Sequence, residues 1–208
     1  MVKNWYLFLT DVWCTMDGLK LTLEQSGDAL IQECFYNGWS HYHYVSSVLC
    51  FCPDRAIPIA FIHIPGDVHE SQIAEYGIIY DKLEVYWCDG KLFTIDSAFG
   101  NVHKECLIKS SQELIHIQRY RAQRITRDAT TMSRSAEWGM CFFQSSMPHT
   151  KDRMKFEEHG ERKVTLPMMI LLYNLQARMV GINYLYSFYM RALYRDVNID
   201  FVPQLVNT

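Results

Sequence analysis

The run Val12-Trp-Cys-Thr-Met16 is apolar and ends at Asp17-Gly18. Leu19, Leu21 and Leu23 then alternate with Lys20 and Thr22. A period of two turns the three leucines to one face. The pattern predicts a strand that carries Asp17 and continues, or resumes, past a glycine irregularity. Residues 29–35 are ambiguous between helix and strand, and Asn37-Gly38 marks a turn. Residues 44–52 (YVSSVLCFC) and 57–64 (IPIAFIHI) are β-rich runs joined by Pro53-Asp-Arg-Ala56. Pro-Asp is good turn chemistry, so these runs predict an antiparallel hairpin. Pro58 cannot donate to a ladder, which places it at an edge or at the first residue of its strand. Pro65-Gly66 ends the hairpin.

From Ser71 the rhythm changes. Ile73, Tyr76, Ile79, Tyr80 and Leu83 recur at three and four, predicting a helix over 71–87 that stops at Asp89-Gly90. Lys91-Leu-Phe-Thr-Ile-Asp96 then reads as a buried strand ending on a carboxylate, and Leu107-Ile108 as a further short strand. Residues 112–147 are helical in pattern, with a basic, polar centre and an apolar part around Glu137. Pro148 closes them. A charged stretch, 151–163, leads to a helix over 166–180 capped by Gly181, and 184–194 reads as a further helical turn or two. Three antiparallel strands followed by a helical crossover into a central strand is the order of the ribonuclease H-like fold. The fold class expected is therefore α/β, a mixed sheet of three antiparallel strands and then parallel ones, flanked by helices. In that topology the first and fourth strands lie side by side, which brings Asp17 next to Asp96. A late helix across the sheet brings Glu137 within reach.

Composition narrows the reading. The 208 residues are 49% hydrophobic and 14% aromatic, enough for a core without metal or disulfide staples. The net charge of −3 gives no global attraction to nucleic acid, so any DNA contact needs a local basic patch. Seven cysteines without framework spacing point to reduced thiols in an intracellular protein. No run has the length of a membrane span, and the start of the chain lacks the features of a signal peptide. The expected organisation is an N-terminal extension (1–11), one domain (12–198) and a C-terminal tail (199–208).

Three carboxylates from strand, strand and helix are the arrangement that holds two divalent ions for in-line phosphoryl displacement. Hard oxygen ligands favour Mg²⁺ or Mn²⁺. Taken singly, Asp17-Gly18 also fits a turn, Asp96-Ser97 a loop entry, and Glu137 a solvated helix face. The apolar neighbours Ala136 and Trp138 argue against a wet setting for Glu137. Arg121, Arg124 and Arg127 share one helical face, with Arg119 and Arg134 nearby. Such a run is usually solvated, but beside a phosphoryl-transfer site it suits DNA phosphates. His41, His43 and His69 suggest a zinc site, although hydrogen-bonded strand histidines are the preferred reading.

Several stretches, in order, are similar to the PIF/Harbinger-type DDE transposases. They are Thr15-Met-Asp-Gly-Leu-Lys-Leu21, Phe35-Tyr-Asn-Gly-Trp39, His43-Tyr-Val45, Pro65-Gly-Asp-Val-His69, Thr94-Ile-Asp-Ser-Ala-Phe99, Ala136-Glu-Trp-Gly-Met140, Lys151-Asp-Arg153 and Glu158-His-Gly-Glu-Arg162. The resemblance covers about 12–198. It implies an RNase H-like, divalent-metal (Mg²⁺ or Mn²⁺) DNA endonuclease and strand-transfer domain, with Asp17, Asp96 and Glu137 as catalytic metal ligands. His69 and Glu70 take auxiliary positions, and Arg121, Arg124, Arg127, Arg134, Lys151 and Arg153 are expected to meet DNA. The implied partners are transposon ends and target DNA, a separate DNA-binding protein and further copies of the chain, in the nucleus and away from membranes. The chain departs from the family pattern at Tyr42, where an Asp is common between His41 and His43, and at Glu70, where the family reads His-Asp-Ser. His149-Thr150 also replaces the usual basic-apolar pair. Family members carry an N-terminal helix-turn-helix or similar segment that has no counterpart before Val12, so the chain is expected to be the catalytic domain alone. The alternative is an inactive or domesticated remnant serving as a DNA- or protein-binding module.

Overall fold

The structure is a computed structural model that describes residues 12–52, 56–87, 92–99, 107–109, 119–155 and 159–180. Its centre is strand β1 (Val12–Thr22), which runs through Gly18 without interruption. A short helix α1 (Ala29–Phe35) follows, capped by the Asp28 carboxylate, which accepts from the Leu30 and Ile31 amides. This resolves the ambiguous stretch: the cap and the helical spacing of Ile31 and Phe35 win over strand propensity. A two-residue strand β2 (Tyr36–Asn37) then turns at 38–41 into β3 (Tyr42–Phe51).

β3 lies antiparallel to both β1 and β4 (Ile59–Pro65). Pro58 precedes β4, and β4 pairs only with β3 among the described strands, so the proline meets an edge strand as expected. The turn at 53–55 lies outside the described residues. On the other side of β1 run β5 (Leu92–Ile95) and β6 (Leu107–Lys109), each parallel to its neighbour. The sheet order is thus β4-β3-β1-β5-β6, with β2 on the start of β3. A mixed sheet of parallel and antiparallel strands flanked by helices is what the sequence order predicts.

Alternation along β1 and β3 splits the core in two. Cys14, Met16, Val48 and Cys50 face one way, with Phe93 and Ile95. Leu19, Leu21, Val45, Leu49 and Phe51 face the other. The first face is covered by α2 (Glu70–Tyr76) and α3 (Ile79–Trp87) through Ile73, Ala74, Ile79, Tyr80 and Leu83. The second is covered by α4 (Arg119–Ser146) and α5 (His159–Val180) through Ala136, Phe143, Leu166, Ile170 and Tyr173. Cys14, Cys50 and Cys52 are buried as free thiols, and burial pushes the Cys14 thiol well up, with the Cys50 hydrogen bond and charges adding to it.

Two helix boundaries differ from the sequence pattern. The single helix over 71–87 is two helices, broken at Gly77-Ile78. A Cβ on Gly77 would stand 2.6 Å from the Phe61 ring, and Ile78 takes a positive φ of 52°. The close approach of β4 requires glycine at this position, and the three-and-four spacing is unbroken across the kink. The final helix begins at His159 and carries Pro167 inside it, so the charged stretch before residue 166 is partly the helix's own first turns. α4 is described from Arg119, and the residues 112–118 that the pattern also assigned to it lie outside the described residues, as do Asp89-Gly90, Gly181 and 184–194. Among the described residues no helix is long and apolar enough to cross a membrane.

Candidate functional site

β1 and β5 pair in parallel with Thr15 opposite Thr94 and Met16 opposite Ile95. The next step in that register sets Asp17 beside Asp96, the residue just past the end of β5. β1 continues to Thr22, so beyond this point it has β3 on one side and no β5 on the other. Asp17 therefore lies at the carboxyl end of the parallel pair, where a sheet opens a crevice. Strand alternation turns Asp17 to the same face as Thr15, and Asp96 to the same face as Thr94. That is the face crossed by α4.

Glu137 comes to this point on α4. Gly139, two residues on, is the contact that lets the helix lie close: a Cβ there would stand 2.6 Å from the Phe51 ring of β3. Ala136 is fully buried, whereas Glu137 and Trp138 are exposed. The expectation that apolar neighbours keep Glu137 out of water is thus not met. Successive helical residues are about 100° apart, so the buried side of Ala136 says nothing about the next position.

A fourth carboxylate arrives from the opposite face of the sheet. Glu70 is the first residue of α2 and folds over Gly18. A Cβ on Gly18 would lie 2.6 Å from Glu70 Oε1, so a side chain there would displace the Glu70 carboxylate. Lys20 Nζ stands 3.4 Å from the same oxygen and offsets its charge. His69, by contrast, is the N-cap of α2: its Nδ1 accepts from the Ser71 amide at 3.3 Å and lies 2.9 Å from the Ser71 hydroxyl, while Gln72 accepts from the His69 amide. The auxiliary pair expected from the sequence is therefore divided, Glu70 facing β1 and His69 holding the helix that presents it.

Asp17 carries this crowding on top of its burial. Its carboxyl is pushed up from 3.8 to about 7, first by burial and then by the negative charges of Glu70, Asp96 and Glu137. The Gly18 N–H, donating to Oδ1 at 2.7 Å, pulls in the other direction without prevailing. One row deeper, the Thr15 and Thr94 hydroxyls sit opposite each other, buried and without a hydrogen-bond partner.

The chemistry of this donor set suits a hard divalent cation: oxygen-only ligands whose mutual repulsion a cation relieves. As the side chains stand, no group of three His, Cys, Asp or Glu among the described residues is placed to hold a metal ion. The same holds for the imidazoles. His41 Nδ1 is 3.1 Å from the Tyr36 hydroxyl, the His43 ring packs on Tyr36 at 5.3 Å, and His69 caps α2, so no zinc centre is assembled from them.

Of the basic residues, Arg127 and Arg134 are exposed on α4, and Arg134 lies three residues before Glu137 on a neighbouring face. Arg121 and Arg124 belong to the same helix, but their side chains lie outside the described residues. Lys151 and Arg153 are exposed just past the end of α4, with Lys151 Nζ 3.1 Å from Ser145 Oγ. Sequence reasoning missed the parts played by Gly18 and Lys20. The available signal was a glycine inside a strand, which marks a close approach. No protein-family model, curated protein or solved structure matches the chain.

Proposed function

We propose that the domain is a divalent-metal-dependent DNA endonuclease and strand-transfer domain of the DDE transposase type, built on an RNase H-like sheet. The observation that carries this reading is the convergence on Asp17 of three further carboxylates, Asp96 from the adjacent parallel strand, Glu137 from α4 and Glu70 from α2. A bound cation would offset the negative charge that Glu70, Asp96 and Glu137 set against the buried Asp17 carboxyl. Asp17, Asp96 and Glu137 are the residues that would hold Mg²⁺ or Mn²⁺. Such a cation, when bound, supplies Lewis-acid polarisation of a phosphodiester and activation of water.

The chain's own residues do the rest. β1 and β5 fix Asp17 and Asp96 on a rigid base, and the Gly18 N–H orients the Asp17 carboxyl through Oδ1. Gly139 sets the height of Glu137 above the sheet. With a carboxyl at about 7, Asp17 is divided between its acid and base forms near neutrality. Arg127, Arg134, Lys151 and Arg153 are exposed where a DNA backbone running along α4 and past its end would meet them. Transposon ends and target DNA as substrates, a separate DNA-binding protein, a multimeric assembly and a nuclear site of action belong to the same proposal.

The test is Mn²⁺- or Mg²⁺-dependent nicking of supercoiled DNA by purified protein, with Asp96→Asn as the control. Loss of nicking in that variant supports the reading, and unchanged nicking refutes it. A second reading, a non-catalytic DNA- or protein-binding module, is favoured by one observation: among the described residues no three acids stand in ligating positions. Mn²⁺ titration separates the two, because only a working site gains thermal stability by mass action in an Asp17- and Asp96-dependent way.

A further inference from the structure

Each of the three acids proposed to hold a cation has a buried hydroxyl one structural repeat behind it. Thr15 precedes Asp17 by two residues on β1, and Thr94 of β5 precedes Asp96 by two. With a period of two, each threonine shares a face with its acid. Ser133 precedes Glu137 by four residues on α4, a spacing that shares a helical face. Helical side chains lean toward the N-terminus, which directs Glu137 over the turn that carries Ser133.

All three hydroxyl oxygens are buried and none has a hydrogen-bond partner. Thr15 and Thr94 are 1% and 0% exposed and stand opposite each other in the parallel pair. Phe51 stands opposite Thr15 on the other side, and its ring meets Gly139 of α4. The row Phe51, Thr15, Thr94 therefore lies on the face that α4 crosses, under the helix that bears Ser133 and Glu137. A buried hydroxyl without a partner has lost its hydration and gained nothing in exchange. A local remedy exists on α4 and is not used by Ser133. Ser145, further along the same helix, donates to the Cys141 carbonyl one turn back at 2.7 Å, and Ser133 makes no such bond.

We infer that Thr15, Thr94 and Ser133 are positioning residues, each donating its hydroxyl proton to the carboxylate of Asp17, Asp96 or Glu137 when that carboxylate turns onto a divalent cation. The inference rests on the proposed metal-dependent reading of the acids. Among the described residues no three acids are placed to ligate together as they stand, so the carboxylates have to turn. A carboxylate that gives one oxygen to a cation keeps the other for a donor. A hydroxyl behind each acid holds the turned position, and outer hydrogen bonds of this kind change metal affinity about tenfold to hundredfold.

The test uses Thr15→Val, Thr94→Val and Ser133→Ala in the full chain, which remove each hydroxyl with little change of shape. Mn²⁺ binding is measured by isothermal titration calorimetry, with Asp17→Asn and Asp96→Asn as controls, and thermal stability is measured separately in chelator. Each hydroxyl variant should bind Mn²⁺ about tenfold to hundredfold more weakly. In chelator it should melt at or above the wild-type temperature, because the hydroxyl has no bond to lose there. Thr15→Ser and Thr94→Ser keep a hydroxyl and should recover most of the lost affinity. Wild-type affinity in one variant removes that hydroxyl from the assignment. Wild-type affinity in all three overturns the inference and leaves the metal reading standing. A variant that melts lower in chelator, or does not fold, marks its hydroxyl as structural and also overturns the assignment. If the wild type binds no Mn²⁺ in a way that depends on Asp17 and Asp96, the metal reading itself is refuted and this inference falls with it.

Discussion

Replacing Asp17 by Asn removes the group on which the site's repulsion converges, and the consequence for stability has a definite sign. In the folded chain the Asp17 carboxyl is pushed up to about 7, and its ordinary value is 3.8. Between these limits the folded state holds a proton that the unfolded chain releases. Raising the pH therefore favours unfolding, by up to roughly 1.4 kcal/mol per pH unit. The stability that this group contributes is fully present below pH 3.8 and is lost as the pH rises through about 7. The ceiling is about 4 kcal/mol, and because Asp17 is only half-buried, solvent screening reduces the expected effect to about 2–3 kcal/mol. Asparagine keeps the shape and an acceptor for the Gly18 N–H but cannot ionise. Urea unfolding followed by circular dichroism, in chelator and at pH values from 3.5 to 8.5, measures the difference between the two proteins. The variant should match the wild type at the acid end and exceed its stability by about 2–3 kcal/mol at the alkaline end. Other titrating groups are common to both chains and cancel in the difference. A difference that stays flat across the range refutes the crowding of acids around Asp17. Adding Mn²⁺ at neutral pH should raise the stability of the wild type and leave the variant almost unmoved, if the proposed site holds a cation.

Gly139→Ala pushes a methyl group into the Phe51 ring, and the overpacking should cost about 1–3 kcal/mol in chemical denaturation. The same change lifts α4, so metal-dependent nicking should fall further than the fraction of folded protein does, measured on the same sample. Ile78→Asn places a residue tolerant of positive φ where an exposed β-branched one is held at 52°. It should stabilise the chain by about 1 kcal/mol, raising the melting temperature by roughly 2–4 °C in a scanning experiment.

The sheet was largely legible because strand residues report their own faces. Leu19, Leu21 and Leu23 alternate in sequence and are all buried on the α4–α5 side. The placement of Asp17 beside Asp96 followed from element order alone, since a strand reached by a helical crossover lies parallel to its neighbour. Helix limits were less legible, and for a physical reason. The break between α2 and α3 falls at Gly77, where Phe61 of another strand leaves no room for a side chain, and the three-and-four spacing runs across it without a trace. The helical start at His159 is masked by charged residues that a helix tolerates on its wet side.

The exposure of Glu137 and the approach of Glu70 show how far local chemistry can be trusted at the site itself. Apolar neighbours gave the wrong environment for Glu137, because on a helix adjacent residues do not share surroundings. What brings Glu137 to the acids is the missing side chain at Gly139, which fixes the distance between α4 and β3. Glu70 is brought in by a second missing side chain, at Gly18, and by a cap at His69 that holds the first turn of α2. Lys20 then offsets part of the added charge. The acids can be found from their residue type and position, but their convergence is set by two glycines whose role depends on what lies across the sheet. A substitution at either glycine should therefore disturb the site while leaving every acid in place, which is a test that changing the acids themselves cannot supply.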